Sequence, residues 1–219
     1  MFTSISRRFF LAMMAVMLVT GSAFAASQDE GLYDAVPPEG SAFVRFIHAD
    51  PAIGGDISPV VNGRKRDGMR FSKVKPYGVV PPGKVDVEFD NIKMNFNAEP
   101  NTYYTLVLKN GAFQVVKDPA PEDELKAQLI LYNTTDRDDI TLRTADGKVT
   151  VIGPVKANEV MDRAVNPIKV SFAIYAGDKK YADLSDWPLE RKERYIIAVM
   201  TDENGKGVAA YDRARVSEE

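Results

Sequence analysis

Short segments of alternating apolar and polar residues, closed by tight-turn dipeptides, are the feature that most limits how this 219-residue chain folds. Residues 84–89 carry valine or phenylalanine at every second position, as a half-buried strand does. Asn62-Gly63, Asn110-Gly111 and Asn204-Gly205 favour two-residue hairpin turns. No segment has the periodicity of a long amphipathic helix. These patterns predict an all-β protein, and strands at such regular spacing favour β-sandwiches.

Two stretches of the chain carry the same order of strand-like segments. Residues 42–48 correspond to residues 127–133, and residues 103–108 correspond to residues 195–200. The offset stays between about 85 and 92 residues although the identity of the paired segments is low, so the order and spacing predict an internal duplication. The alternative is that two unrelated all-β domains share short strands and Asn-Gly turns.

The first 25 residues have the parts of a secretory signal peptide. Arg7 and Arg8 give a positive start, residues 9–19 are apolar and uncharged, and Ala23-Phe24-Ala25 is a cleavage pattern. The apolar run is about half the ~20 residues needed to span a bilayer, so we expect no stable membrane anchor after cleavage. General secretion is the expected route, and the twin-arginine route is the alternative. The expected location is the periplasm.

Composition divides the rest of the chain. Residues 118–125 combine two prolines with a run of charges, which is typical of a linker that few contacts cross and that lets two domains engage different partners. The expected organisation is a signal peptide at 1–25, an N-terminal arm at 26–41, a first β-sandwich domain at 42–117, a linker at 118–125 and a second β-sandwich domain at 126–219.

The charge and the cysteine content exclude several classes of function. The formal net charge is −3, from 28 basic and 31 acidic residues, and a mildly acidic protein is poorly suited to bind nucleic acid. The chain has no cysteine, which excludes disulfides, thiolate nucleophiles and cysteine metal sites. It has no glycine-rich phosphate loop, so we expect no cofactor.

Catalytic chemistry of the Ser-His-Asp type would have to use the single histidine, His48. It follows a strand-like segment, and no Gly-x-Ser-x-Gly motif occurs in the chain. We interpret His48 as a structural side chain bonded to a nearby turn, with a binding or catalytic role as the alternative. Asp136, Asp138 and Asp139 are candidates for a calcium site, but Arg137 among them favours a solvated loop. We therefore predict no catalytic residue and no metal site.

Cationic and aromatic side chains in expected loops are the candidates for contact with a partner or a polymer. Guanidinium groups match the carboxylates of a uronate polymer or of an acidic protein, and aromatic faces stack on sugar rings. The alternative for the cationic group is a solvated loop, and the alternative for the aromatic side chains is a place in the core or at its rim. The candidates are Tyr33, Arg64, Lys65, Arg66, Arg70 and Trp187.

The start of the mature chain resembles a known family. Gly31-Leu32-Tyr33, Pro37-Pro38 and Ser41-Ala42-Phe43-Val44-Arg45, which follow an export signal, are similar to the AlgF family of alginate O-acetylation proteins. The length of the chain and its two-part β pattern agree with this resemblance.

The resemblance implies a periplasmic protein needed for O-acetylation of alginate. In such systems a membrane-bound acyltransferase passes acetyl groups outward, and periplasmic enzymes attach them to the polymer. The chain lacks the Gly-Asp-Ser and Asp-x-His elements of those enzymes. The expected function is a non-catalytic adaptor that binds the acetyltransferase components. The alternatives are a pair of carbohydrate-binding modules that hold alginate, and an enzyme that carries acetyl covalently.

Overall fold

A computed structural model describes residues 37–120, 123–184 and 187–217. All the regular secondary structure in these ranges is β-strand. This confirms the all-β prediction, and the described part of the chain holds no helix long and apolar enough to cross a membrane. The strands of lobe 1 are β1 (Ala42–His48), β2 (Val60–Val61), β3 (Arg64–Lys65), β4 (Lys73–Val74), β5 (Tyr77–Val80), β6 (Gly83–Phe89), β7 (Ile92–Ala98), β8 (Tyr103–Lys109) and β9 (Ala112–Lys117). The strands of lobe 2 are β10 (Ala127–Asn133), β11 (Ile140–Thr144), β12 (Thr150–Val155), β13 (Val160–Val165), β14 (Lys169–Val170), β15 (Phe172–Ala176), β16 (Lys179–Asp183), β17 (Trp187–Pro188), β18 (Arg194–Thr201) and β19 (Gly207–Arg213), and β20 (Val216–Ser217) follows them.

The two lobes have the same sheet topology. In lobe 1, the sheet β5-β1-β8-β9 packs on the sheet β3-β2-β6-β7, and in lobe 2, β13-β10-β18-β19 packs on β12-β11-β15-β16. Each lobe has one parallel pair in these sheets, β1 with β8 and β10 with β18, and the other pairs are antiparallel. An unusual parallel pair at the same place in both lobes agrees with the predicted internal duplication.

Three apolar clusters hold four layers of sheet together. One lies inside each sandwich, and the third lies between the lobes, where Ile47 and Val107 of lobe 1 meet Ile130, Ile196 and Met200 of lobe 2. The two middle sheets are therefore covered on both faces, and all seven residues of β10 are buried. Burial of apolar surface contributes about 25 cal/mol per Å², so this back-to-back contact stabilises the association of the lobes.

Two of the three Asn-Gly dipeptides form the predicted two-residue turns. Asn62 and Gly63 have φ values of 49° and 78°, and Asn110 and Gly111 have values of 51° and 69°. Two consecutive positive φ angles are the geometry of a type I′ hairpin turn, which asparagine and glycine adopt at low cost. These turns connect β2 to β3 and β8 to β9. The prediction is wrong for Asn204-Gly205, which lies in a longer connection (residues 202–206) between β18 and β19, where Asp202 Oδ1 accepts from the backbone N–H groups of Asn204 and Lys206.

The end of the described chain returns to lobe 1. Strand β20 pairs in parallel with β5, with Val216 opposite Tyr77 and Ser217 opposite Gly78. The Tyr77 N–H donates to the carbonyl oxygen of Arg215 at 2.8 Å. The edge of the first lobe is thus completed by a strand from beyond the second lobe.

Contacts cross at the start of the predicted linker, where we expected few. The Asp118 side chain is buried between the lobes, and Arg194 of β18 donates to the Pro119 carbonyl oxygen. The Gln128 side-chain amide donates to the carbonyl oxygen of Ala120 at 2.9 Å. A buried carboxylate requires partners, and lobe 1 and lobe 2 both supply them.

Candidate functional site

A buried polar network occupies the boundary between the lobes. Arg45 of β1 is 1% exposed, and its Nε donates to Thr105 Oγ1 at 2.7 Å while its Nη2 donates to the Tyr132 hydroxyl at 2.8 Å. The guanidinium also lies 3.6 Å from Asp118 Oδ2 and 4.6 Å from the centre of the Tyr77 ring. Tyr132 belongs to lobe 2, so Arg45 of lobe 1 forms a hydrogen bond that joins the two lobes.

Asp118 is the acceptor at the centre of this network. Its carboxylate accepts hydrogen bonds from the hydroxyls of Tyr77, Thr105 (2.8 Å) and Tyr132 (2.6 Å). Burial raises the pKa of both tyrosines, so both phenols stay protonated at neutral pH and can donate. Burial alone lowers the pKa of Arg45, but the neighbouring Tyr132, Tyr77 and Asp118 outweigh it, so the guanidinium stays charged. All the side chains of this network are buried, so it is placed to hold the two lobes together and not to meet a substrate; we call it the lock (Arg45, Tyr77, Thr105, Asp118 and Tyr132).

The structure separates the four cationic candidates of lobe 1. Arg64 and Lys65 are exposed on the edge strand β3. Arg66 turns inward, and its Nη2 donates to the carbonyl oxygen of Val79 at 3.2 Å. Arg70 forms an exposed two-point ion pair with Asp56, at 2.8 and 3.3 Å. Two of the four candidates are therefore engaged by other groups of lobe 1, and the other two are exposed on β3.

Little is described of the two aromatic candidates. Tyr33 lies outside the described residues. The backbone of Trp187 belongs to β17 and pairs with Val170. Two other tyrosines of lobe 1, Tyr77 and Tyr104, are buried.

The acidic loop does not form a cation site. Arg137 pairs with Asp139 at 2.8 Å, Asp136 accepts from Lys109 at 2.7 Å, and Asp138 accepts from the backbone N–H of Ala157. Each carboxylate therefore has its own protein donor. Within the described residues no group of three or more His, Cys, Asp or Glu side chains is placed to hold a metal ion.

An open groove of about 540 Å³ lies in lobe 2 between the edge strands β12 and β13. Phe172 is buried at its inner side, whereas Val149 and Ile168 line it with 56% of their surface exposed. Arg163 of β13 spans the gap, with its Nη1 donating to the Val151 carbonyl oxygen at 2.8 Å. The sequence does not predict this groove, because its residues come from four separated segments with no motif in common.

Comparison with known proteins identifies the family. The family model described as alginate O-acetyl transferase AlgF matches residues 15–196. The chain belongs to the AlgF family. It is 34% identical over 199 residues to the alginate biosynthesis protein AlgF of Pseudomonas putida, covering 90% of this chain and 89% of that protein.

Further AlgF relatives match to a similar extent. The Azotobacter vinelandii protein is 33% identical over 180 residues, covering 82% of this chain and 81% of that protein. The Pseudomonas aeruginosa protein is 32% identical over 213 residues, covering 92% of each chain. The solved C-terminal domain of AlgF from P. aeruginosa is 34% identical and covers 41% of this chain and 98% of that domain, with a TM-score of 0.38. The resemblance to the AlgF family is confirmed.

The AlgF family description names acetyl transfer, so the environment of the single imidazole matters. His48 is fully buried at the end of β1, and its Nδ1 accepts a hydrogen bond from the Asp50 N–H at 3.4 Å. Its Nε2 has no hydrogen-bond partner among the described residues. Burial lowers the pKa of His48 and keeps the ring neutral at neutral pH, although the Ile53 backbone and Asp50 act in the opposite direction. In this structure the imidazole therefore has no exposed surface.

Proposed function

We propose that this AlgF-family chain is a non-catalytic periplasmic adaptor for the O-acetylation of alginate. It holds periplasmic and membrane-bound components of the acetyltransferase system through protein–protein contacts. The single observation that carries the proposal is the match to the AlgF family over residues 15–196, with relatives named alginate biosynthesis proteins. The predicted signal peptide supports the location.

The placement of His48 supports the non-catalytic role. Acetyl transfer through a serine or tyrosine nucleophile needs a base within hydrogen-bond reach of the reacting hydroxyl. The only imidazole of the chain is buried in lobe 1 and bonded to the backbone of Asp50. The lock around Arg45 and Asp118 supports an adaptor in another way, because it fixes the relative position of two lobes that present different surfaces.

The polymer-holding alternative has no specific observation in its favour. A uronate polymer needs cationic side chains on one surface, and Arg66 and Arg70 are engaged elsewhere. Tyr77 and Tyr104 are buried and offer no open ring face.

Deletion and complementation test the proposal. The acetyl content of the exported alginate, measured by proton NMR, should fall in a strain that lacks the chain and recover when the wild-type gene is restored. A His48→Gln variant that is shown to be folded by circular dichroism should restore acetylation as well as the wild type does. Unchanged acetylation after deletion would overturn the role in acetylation. A folded His48→Gln chain that restores none of it would overturn the non-catalytic part.

A further inference from the structure

The internal duplication makes two edge strands equivalent. Strand β5 is the neighbour of β1 in lobe 1, and β13 is the neighbour of β10 in lobe 2. Each lies beside the edge of the second sheet of its lobe: Arg66, directly after β3, and Gly78 of β5 line one gap in lobe 1, and Val151 of β12 and Arg163 of β13 line one gap in lobe 2. An arginine crosses the gap in both lobes, Arg66 to the Val79 carbonyl and Arg163 to the Val151 carbonyl. The two gaps are therefore comparable places in the fold.

In lobe 1 this edge is occupied. Strand β20 pairs in parallel with β5, and its Ser217 lines the gap. The space that remains is about 30 Å³, which is room for about one water molecule. In lobe 1 the edge of β5 is thus filled by a short extended segment, β20, that is added beside it.

In lobe 2 the equivalent edge is open. Among the described residues no strand pairs with β13 on the side away from β10. The groove beside it measures about 540 Å³, against the 30 Å³ left in lobe 1. An unpaired edge presents free backbone N–H and C=O groups, which makes it a template for another extended segment.

The side chains of the groove indicate the chemistry of its occupant. Val149 and Ile168 are apolar and 56% exposed, so an apolar partner surface would cover them. The charged side chains that line the groove are Lys126 and Arg163, and no carboxylate lines it in the part of the chain that the structure describes. The ion pair of Lys126 with Asp123 is long, at 3.5 Å, and partly exposed, so it leaves the ammonium available to an acid.

We propose that β13 accepts an extended segment of a partner protein as an added strand, parallel to β13 as β20 is to β5. The segment places apolar side chains against Val149 and Ile168 and an acidic side chain near Lys126 and Arg163. This inference deepens the adaptor function and rests on it, because the partner is a component of the acetylation system. The edge has six residues, which correspond to roughly 20 Å of extended chain. Main-chain hydrogen bonds along that length supply affinity, and the groove supplies selectivity.

The test combines binding with hydrogen exchange on the full mature chain. Each periplasmic acetylation component of the same strain is purified and titrated against the chain by calorimetry. A Val149→Glu/Ile168→Glu double variant should weaken binding by about tenfold or more, because it places charge where the apolar contact forms. Leu125→Glu is the matched control: Leu125 is 68% exposed and does not line the groove, so its variant should bind within about twofold of wild type.

Hydrogen–deuterium exchange separates strand addition from contact with a flat surface. In the complex, the alternate amides of residues 160–165 that point away from β10 should exchange about tenfold more slowly than in the free chain, because an added strand takes their hydrogen bonds. Equal affinity of the double variant, or unchanged exchange along β13, overturns the inference and leaves the adaptor function standing. If no component binds the wild-type chain, both fall. Protection of β13 that grows with the concentration of the chain alone identifies a second copy as the occupant and overturns the partner assignment.

Discussion

Replacing Arg45 with methionine should destabilise the folded chain strongly. Arg45 and Asp118 have side chains that are 1% and 0% exposed, so the variant leaves a carboxylate buried without its cation. Breaking a buried ion pair in this way costs roughly 3–5 kcal/mol. Three hydroxyl donors to Asp118 remain, which favours the lower end of that range. A loss of about 3 kcal/mol is a large part of the 5–15 kcal/mol that holds a typical domain folded.

Urea unfolding followed by circular dichroism measures this loss. With a denaturant slope of about 2 kcal/mol per molar, the midpoint should fall by about 1.5 M. Arg137→Met is the matched control, because its ion pair with Asp139 is exposed and should change the free energy of unfolding by less than about 1 kcal/mol. In an Arg45→Met/Asp118→Asn double variant the losses should be less than additive, because each single change removes the same interaction.

The reasoning would be refuted if Arg45→Met lost less than about 1 kcal/mol, or as little as the exposed control. It would also be refuted if the double variant lost the full sum of the single losses. Either result would mean that the buried network of Arg45 and Asp118 fills the space between the two lobes without stabilising their association.

Three further predictions concern titration and close packing. Burial raises the pKa of Tyr77 and Tyr132, so the free energy of unfolding should be maintained below about pH 10 and fall as the pH rises above it. Urea titrations at several pH values should show that the free energy of unfolding falls less steeply with pH in Tyr132→Phe than in the wild type. Burial lowers the pKa of His48, so the stability that its neutral ring contributes is present above about pH 6.5 and declines as the pH falls toward the folded-state pKa. His48→Gln should therefore reduce the change in the free energy of unfolding measured between pH 7 and 5. An unchanged pH dependence in that variant would contradict the lowered pKa. A Cβ on Gly207 of β19 would lie 2.5 Å from the carbonyl oxygen of Tyr181 in β16, so Gly207→Ala should lower the free energy of unfolding by about 1–3 kcal/mol. A wild-type melting temperature for this variant would show that β16 and β19 can move apart without cost.

The sequence predicts the strands and turns that depend on local pattern, and it does so because alternation and Asn-Gly dipeptides act over a few residues. The parallel pairing of β1 with β8 is not local, so only the matched spacing of the two halves hints at it. Strands β7 and β13 were not predicted. The short, half-exposed β13 has a charged pair, Asp162 and Arg163, in its middle, which obscures the alternation.

Arg45 shows why side-chain roles were harder to predict than strands. In an alternating strand a charged residue is expected on the solvent face. Here the other lobe covers that face, and the arginine is buried with Asp118, a residue assigned from composition to a linker. Likewise, Arg64 and Arg66 are neighbours in the sequence, but Arg64 is exposed on β3 whereas Arg66 donates to the carbonyl oxygen of Val79. Both outcomes depend on tertiary packing that no local pattern records.

The placement of β20 bears on the order in which the chain folds. A first sandwich that folds before the end of the chain is in place has one flank of β5 bare, because the residues that cover it follow the whole second sandwich in sequence. Until then that flank is open to mispairing with other folding chains, a hazard that is greatest for slow-forming sheets. Strand β20 thus covers the open edge of β5, and the first sandwich depends on the C-terminal residues for protection from aggregation.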